Sequence, residues 1–361
     1  MTRKYNFYAG PATLPEPVLE QIQKEMVDYH GMGLSLVETS HRSKEYEEVH
    51  NRAISNIRSL LGLGDNFEVL LLGGGATLQF AMVPMNLLGE GRSCDFVNSG
   101  SWAGKAAADA KRFGTVRTVY DGSTDRFTSL PNPDTISVPE DSSYLHITSN
   151  ETIGGVQWKS FPDTGKVPIV CDMSSDILSR PIPADKFGLI YAGAQKNLGP
   201  AGVTVVIIRK DVLGSANDNL PAYLSYKVHA DKNSLYNTPP VFSIYAMNLV
   251  LEWVAAAGGA AEMERRSSEK AGIIYDTIDN SKDFYRCPVD ATYRSPMNVV
   301  FRLKTEELEK EFVAEATEAG MIGLKGHRSV GGCRASLYNA MPVSGARALS
   351  DFMKEFASKK G

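Results

Sequence analysis

The sequence predicts an α/β fold: a mostly parallel sheet covered on both faces by helices, with a smaller α+β unit behind it. Three observations predict it. Short apolar runs at 69–72, 95–97, 116–119, 144–147, 169–170, 189–191 and 203–208 are rich in Val, Ile and Tyr, and most are too short for buried helices. Helix-like stretches such as 76–88 and 101–113 separate several of them, which favours parallel neighbours. Beyond residues 260–270 the composition resets to a shorter alternation of strand and helix.

The elements follow in order. Tyr46, Val49, Ala53, Ile54, Ile57, Leu60 and Leu61 share one helical face, and Gly62-Leu63-Gly64 stops the helix. The apolar runs come next. The last two, 189–191 and 203–208, are joined by a link too short for a crossover helix, so they are expected to be antiparallel neighbours. A long helical stretch spans 241–280, with Gly258-Gly259 marking a bend. Then 298–303 reads as a strand, 305–319 as a helix, 334–338 as a strand and 344–357 as a helix.

The chain has 361 residues, 43% apolar and 22% charged, which is globular usage and excludes wholesale disorder. At about 150 residues per domain, this length implies two domains or three. The 38 basic and 42 acidic residues leave a formal charge of −4, which argues against a nucleic-acid partner. Cys94, Cys171, Cys287 and Cys333 are scattered without a CxxC pair, so no disulfide framework and no metal site is expected. That usage suits a reducing compartment. No apolar run approaches a bilayer's thickness and the N-terminus lacks an apolar leader core. The expectation is a cytoplasmic protein with no membrane partner.

In open α/β sheets ligands sit beyond the carboxyl ends of the strands. Run 69–72 is followed there by Gly73-Gly74-Gly75-Ala76-Thr77, and 95–97 by Asn98-Ser99-Gly100-Ser101-Trp102. Run 144–147 is followed by Thr148-Ser149-Asn150-Glu151-Thr152, 169–170 by Cys171-Asp172, and 189–191 by Gly193-Ala194-Gln195-Lys196-Asn197. The glycine loop lets backbone N–H groups approach an anion at a helix start, although any tight strand-to-helix turn uses the same residues. A nicotinamide-dinucleotide site competes, because Asp95 lies about 20 residues beyond the glycines. Leu78 in place of the third glycine counts against it. Asp172 alone reads as a helix cap or as a counter-charge for a protonated ring nitrogen. Lys196 alone reads as a solvated loop lysine or as a nucleophilic amine. Trp102 reads as core or as a surface for a flat ring. Together they supply what pyridoxal phosphate needs: an anion cradle, a stacking ring, an acid and a lysine.

Cations form a second constellation. His41-Arg42, His327-Arg328 and Arg334 lie in or beside glycine-bounded or polar segments of an acidic chain. The arginine fork matches carboxylate and phosphate, so these residues are read as sites for a small, multiply anionic substrate.

At this point the chain resembles the phosphoserine aminotransferase family, a branch of the class V aminotransferases. The likeness covers nearly the whole length. It rests on Asn6-Phe7-Tyr8-Ala9-Gly10-Pro11-Ala12, Ser40-His41-Arg42-Ser43, Gly73-Gly74-Gly75-Ala76-Thr77-Leu78-Gln79-Phe80 and Asn150-Glu151-Thr152-Ile153-Gly154-Gly155. It continues through Ala194-Gln195-Lys196-Asn197, Asn237-Thr238-Pro239-Pro240, Gly326-His327-Arg328-Ser329-Val330-Gly331-Gly332 and Arg334-Ala335-Ser336-Leu337-Tyr338-Asn339-Ala340.

The resemblance implies a fold-type I pyridoxal-phosphate enzyme with a seven-stranded, mostly parallel sheet. The large domain would span 16–265 and the small domain 266–361, joined by residues 1–15. By the same resemblance Lys196 carries the cofactor, Asp172 partners its ring nitrogen, Trp102 stacks on the ring and Thr152 lies by its phenolic oxygen. Ala76, Thr77 and Gln195 match the cofactor-phosphate site, joined by Asn237 and Thr238 from the partner subunit of a homodimer. His41, Arg42, His327 and Arg328 match the pocket for the substrate's phosphate or distal carboxylate, and Arg334 the clamp on its α-carboxylate. Some family members carry arginine where this chain has Thr77.

The implied reaction interconverts O-phosphoserine and 2-oxoglutarate with 3-phosphohydroxypyruvate and glutamate, in serine biosynthesis. The phosphorylated four-carbon analogue 4-phosphohydroxythreonine, used in pyridoxine biosynthesis, is a further candidate substrate. The competing readings are another class V enzyme, such as an alanine–glyoxylate aminotransferase or a cysteine desulfurase using Cys333, and a non-catalytic phosphometabolite-binding relative.

Overall fold

The computed structural model describes residues 3–361. Its centre is a seven-stranded sheet in the order Phe67–Leu72, Thr204–Arg209, Phe187–Gly193, Ile169–Asp172, Ser142–Thr148, Ser93–Asn98, Thr115–Asp121. Thr204–Arg209 is antiparallel to both neighbours, and every other pairing is parallel. Only a short turn separates Gly193 from Thr204, so the chain doubles back instead of crossing over. The expected fold class and the expected antiparallel pair are both present.

Alternate residues of each strand enter separate cores, as the period of two requires. Val69, Leu71, Ile147, Ile190 and Val205 face one core, which includes Trp158, Ile244 and Leu251. Leu70, Leu72, Tyr144, Tyr191 and Val206 face the other, with Phe80, Met82 and Tyr226.

The helix Lys44–Leu61 begins where the Ser43 side chain accepts from the Tyr46 N–H and ends at Gly62, whose φ is 63°. It buries the predicted face and packs on Val241–Ala256. The expected 241–280 helix is two helices, Val241–Ala256 and Gly259–Asp279, set at 82°. Gly258 (φ 112°) and Gly259 (φ 72°) make that corner in a conformation other residues rarely adopt. Among the described residues no single helix is long and apolar enough to cross a membrane.

Behind the sheet, Tyr285–Arg286, Asn298–Leu303 and Cys333–Ser336 form a three-stranded antiparallel sheet. Phe301, Phe312, Leu349 and Phe356 pack around it, together with Ala271, Ile274 and Ile278 of the helix Gly259–Asp279. Phe7 lies in the same core, and Tyr5–Asn6 pairs in parallel with Met321–Ile322. The division expected at 265/266 therefore falls inside a continuous helix.

Candidate active site

Six of the seven strands of the large sheet point the same way, so their carboxyl ends share one edge. After Phe67–Leu72 the chain turns through Gly74 (φ 85°) and Gly75 (φ 66°) into the helix Gly75–Leu87. A Cβ at Gly74 would lie 2.5 Å from the Leu78 side chain. The first-turn N–H groups of this helix have no intrahelical acceptor, and Gly75, Ala76 and Thr77 line a cavity of about 300 Å³.

Trp102 enters the same cavity from the helix Ser101–Ala110, and Thr152 from the turn after the short strand Asn150–Glu151. Asp172 ends its strand with Oδ1 accepting from the Ser174 N–H at 2.8 Å. Lys196 stands on the tight turn before Thr204–Arg209. Its Nζ donates to Thr152 Oγ1 at 2.6 Å and lies 5.8 Å from the Trp102 ring centroid. Arg334 arrives from the smaller sheet and donates from Nη1 to the Thr152 carbonyl at 3.1 Å. Gln195 and His327 also line this space, and His327 and Arg334 border an adjoining cavity of about 580 Å³.

Burial dominates the electrostatics. It lowers the Lys196 ammonium to about 8; Asp172 opposes that, Arg334 adds to it and Glu151 opposes it. Burial raises the Asp172 carboxyl against the Ser174 hydrogen bonds and the Lys196 charge. Each partner thus shows desolvation outweighing their mutual attraction. The nearby Glu151 carboxyl is pushed up to about 7, again first by burial.

Nine of the predicted residues meet in this one cavity: Ala76, Thr77, Trp102, Thr152, Asp172, Gln195, Lys196, His327 and Arg334. Arg328 is exposed beside His327 and is not among the lining residues. His41, Arg42, Asn237 and Thr238 lie elsewhere, in a separate surface patch where Thr238 Oγ1 is 3.3 Å from His41 Nδ1.

Three lining or bordering residues lacked an assigned role in the sequence. Glu151 accepts from the backbone at the start of the Trp102 helix. Lys105 holds its Nζ 4.3 Å over the Trp102 ring, at the i+3 spacing that a helical reading of 101–113 allows. Asn150 donates to Ser175 Oγ and to Asn298 Oδ1, tying the strand end to the smaller sheet. Of these contacts only the Lys105–Trp102 pair has a local signature; those of Glu151 and Asn150 join segments far apart in sequence.

Two competing readings lose their residues. Asp95 is buried in mid-strand and paired with Arg117 at 2.8 Å, so it is spent on the sheet and does not line the cavity. Cys333 is buried, with its thiol pushed up by that burial, the opposite of an activated nucleophile. Among the described residues no group of three His, Cys, Asp or Glu side chains is placed to hold a metal ion.

The donor set fits pyridoxal phosphate. The cavity joins open helix-start N–H groups, an indole, a buried carboxylate with one oxygen left free of hydrogen bonds among the described residues, and an amine. The Trp102 indole N–H is buried without a partner among the described residues.

The family model for class-V aminotransferases matches residues 4–349. The chain belongs to the class-V aminotransferases. This class-V aminotransferase is 55% identical to the phosphoserine aminotransferase of Lysinibacillus sphaericus over 357 residues, 99% of each chain. It superposes with a TM-score of 0.98 on the phosphoserine aminotransferase of Bacillus circulans subsp. alkalophilus, at 51% identity and 99% coverage of both. It also matches the pyridoxal-phosphate-bound phosphoserine aminotransferase of Trichomonas vaginalis, with a TM-score of 0.92 and 39% identity, over 98% of this chain and all of that one.

Proposed function

We propose that this chain is a pyridoxal-phosphate-dependent phosphoserine transaminase. It interconverts O-phospho-L-serine and 2-oxoglutarate with 3-phosphohydroxypyruvate and L-glutamate in serine biosynthesis. The observation that carries the reading is Lys196, held by Thr152 at 2.6 Å in one cavity with Trp102, Asp172 and Arg334. Full-length likeness to phosphoserine aminotransferases supplies the substrate; it disfavours an alanine–glyoxylate enzyme and a non-catalytic relative.

When bound, pyridoxal phosphate supplies an aldehyde for the amine and a ring that accepts an electron pair. The protein does the rest. The helix start at Ala76 and Thr77, with Gln195, receives the phosphate. Trp102 would cover one face of the ring, and the Asp172 carboxylate would keep a proton on the ring nitrogen. Lys196 would hold the aldehyde, and its Nζ, once free, would be the base for the substrate α-proton. Arg334 grips the α-carboxylate, and His327 with Arg328 borders the distal anion.

His41, Arg42, Asn237 and Thr238 complete the proposed site from a second copy, since they do not line their own chain's cavity. Residues 16–265 and 266–361 with 1–15 are the proposed domains. A cytoplasmic setting suits four free cysteines. Activity on 4-phosphohydroxythreonine is part of the proposal. The test is the purified holoenzyme with phosphoserine and 2-oxoglutarate. Glutamate formation and a cofactor absorbance band are expected; a colourless protein without turnover would overturn the reading.

A further inference from the structure

Glu151 is 1% exposed, and each of its oxygens accepts from a backbone N–H. Oε1 meets the Ala103 N–H at 2.9 Å and Oε2 the Trp102 N–H at 3.2 Å. Both donors belong to the first turn of Ser101–Ala110, a helix with no side-chain cap of its own. The preceding residue is Gly100, where a Cβ would lie 2.6 Å from Glu151 Cδ. Its φ of 161° is extended backbone open to any residue, so the need for glycine is one of space alone. Glu151 is followed directly by Thr152, which meets Lys196.

A helix start needs only a local Ser, Thr, Asp or Asn to satisfy its N–H groups. Here that role is filled by a fully desolvated carboxyl group reaching across from the neighbouring strand end, at the expense of its hydration. What the long reach adds is registration: the indole-bearing helix is tied to the strand end that presents Thr152. We infer that Glu151 is a positioning residue: its carboxylate locks the Trp102 helix to the Thr152–Lys196 strand end, with Gly100 leaving the room it occupies. The inference rests on the proposed function.

Two variants test it from opposite sides. Glu151→Gln keeps the shape but turns an amide N–H₂ toward one backbone N–H. Gly100→Ala keeps the carboxylate but takes its space. In holoenzyme both should at least halve the cofactor's circular dichroism and lower kcat about 10- to 100-fold, the scale of a misplaced reacting group. The double variant should be no worse than the more damaged single one, because both break one contact. Hydrogen exchange on the cofactor-free proteins should show the Trp102 and Ala103 amides exposed while the sheet amides keep their protection. Wild-type dichroism and kcat in both variants, or additive losses in the double, would overturn the inference. So would unchanged protection at 102 and 103. If wild type has no cofactor band and no turnover, the proposed function fails instead, and the exchange data still judge Glu151.

Discussion

Lys196 reacts only as the neutral amine, and burial lowers its ammonium to about 8 from an ordinary value of 10.5. A lysine is neutral above its pKa. Capture of pyridoxal phosphate by the cofactor-free protein should therefore accelerate with rising pH and level off a little above 8. Stopped-flow absorbance checks this; a rate still climbing beyond pH 10 would show an unperturbed amine. Asp172 poses the converse case. Burial raises its carboxyl, so the ionised form needs a cation in contact, and in the proposed site a protonated ring nitrogen would be that cation. Asp172→Asn keeps the shape and removes the charge. Turnover should fall about 10²- to 10³-fold, the scale of a lost charge-stabilising group, with far-ultraviolet dichroism unchanged. Arg334 serves every substrate if it holds the α-carboxylate. Arg334→Ala should cost about 10- to 100-fold in kcat/KM with phosphoserine and glutamate alike, the scale of one charged hydrogen bond.

The turn between Phe67–Leu72 and Gly75–Leu87 puts the first-turn N–H groups at the cavity, and Gly74 makes it possible. Its φ of 85° is left-handed, and a Cβ there would press on Leu78. Gly74→Ala combines a left-handed alanine, about 1–2 kcal/mol, with that contact. We expect a Tm lower by several degrees and weaker cofactor binding, both read by thermal scans with and without pyridoxal phosphate. An unchanged affinity would mean that the turn does not shape the phosphate cradle. The Asn150 link acts on a second element. Through Asn298 it reaches Ser336 and Tyr338, on and just beyond the strand that carries Arg334. The arginine is thereby registered to Thr152 through fully buried hydrogen bonds, which tolerate no unpaired member.

Over the whole molecule, the separation of two anion-binding groups sets the expectations. Arg42 does not line its own chain's cavity, and the proposed reciprocal homodimer would bring it to the neighbour's site. Arg42→Ala should then hurt phosphoserine far more than alanine, which has no distal anion. Equal losses would contradict that placement. Subunit mixing tests the composite site itself. A Lys196→Ala subunit paired with one lacking the Asn237 and Thr238 side chains has one doubly damaged site and one intact site. Activity should recover toward one site per dimer. If Asn237 and Thr238 serve only their own chain, every site carries a lesion and no activity returns.

Periodicity and turn residues announced the strands, the mostly parallel sense of the sheet and the antiparallel return of Thr204–Arg209, because strand patterns and connection lengths are local, whereas the order of the strands came only with the fold. The strand-end rule then brought Gly75, Trp102, Thr152, Asp172 and Lys196 to one edge. The N-terminal helix Glu16–Glu25 has a local pattern, with Val18 and Ile22 buried four positions apart behind Pro15 and Pro17, whereas the place of Phe7 in the far core has none. Tertiary structure alone decided the contacts that cross the chain. Glu151 meets the Trp102 N–H 49 positions away, and Arg334 meets Thr152 across 182. It also decided that Asp95 belongs to Arg117 and that the His41 patch stands apart from the cavity. The lowered Lys196 ammonium has the same origin: desolvation comes from the summed surroundings of a residue, which exist only once the distant segments have packed.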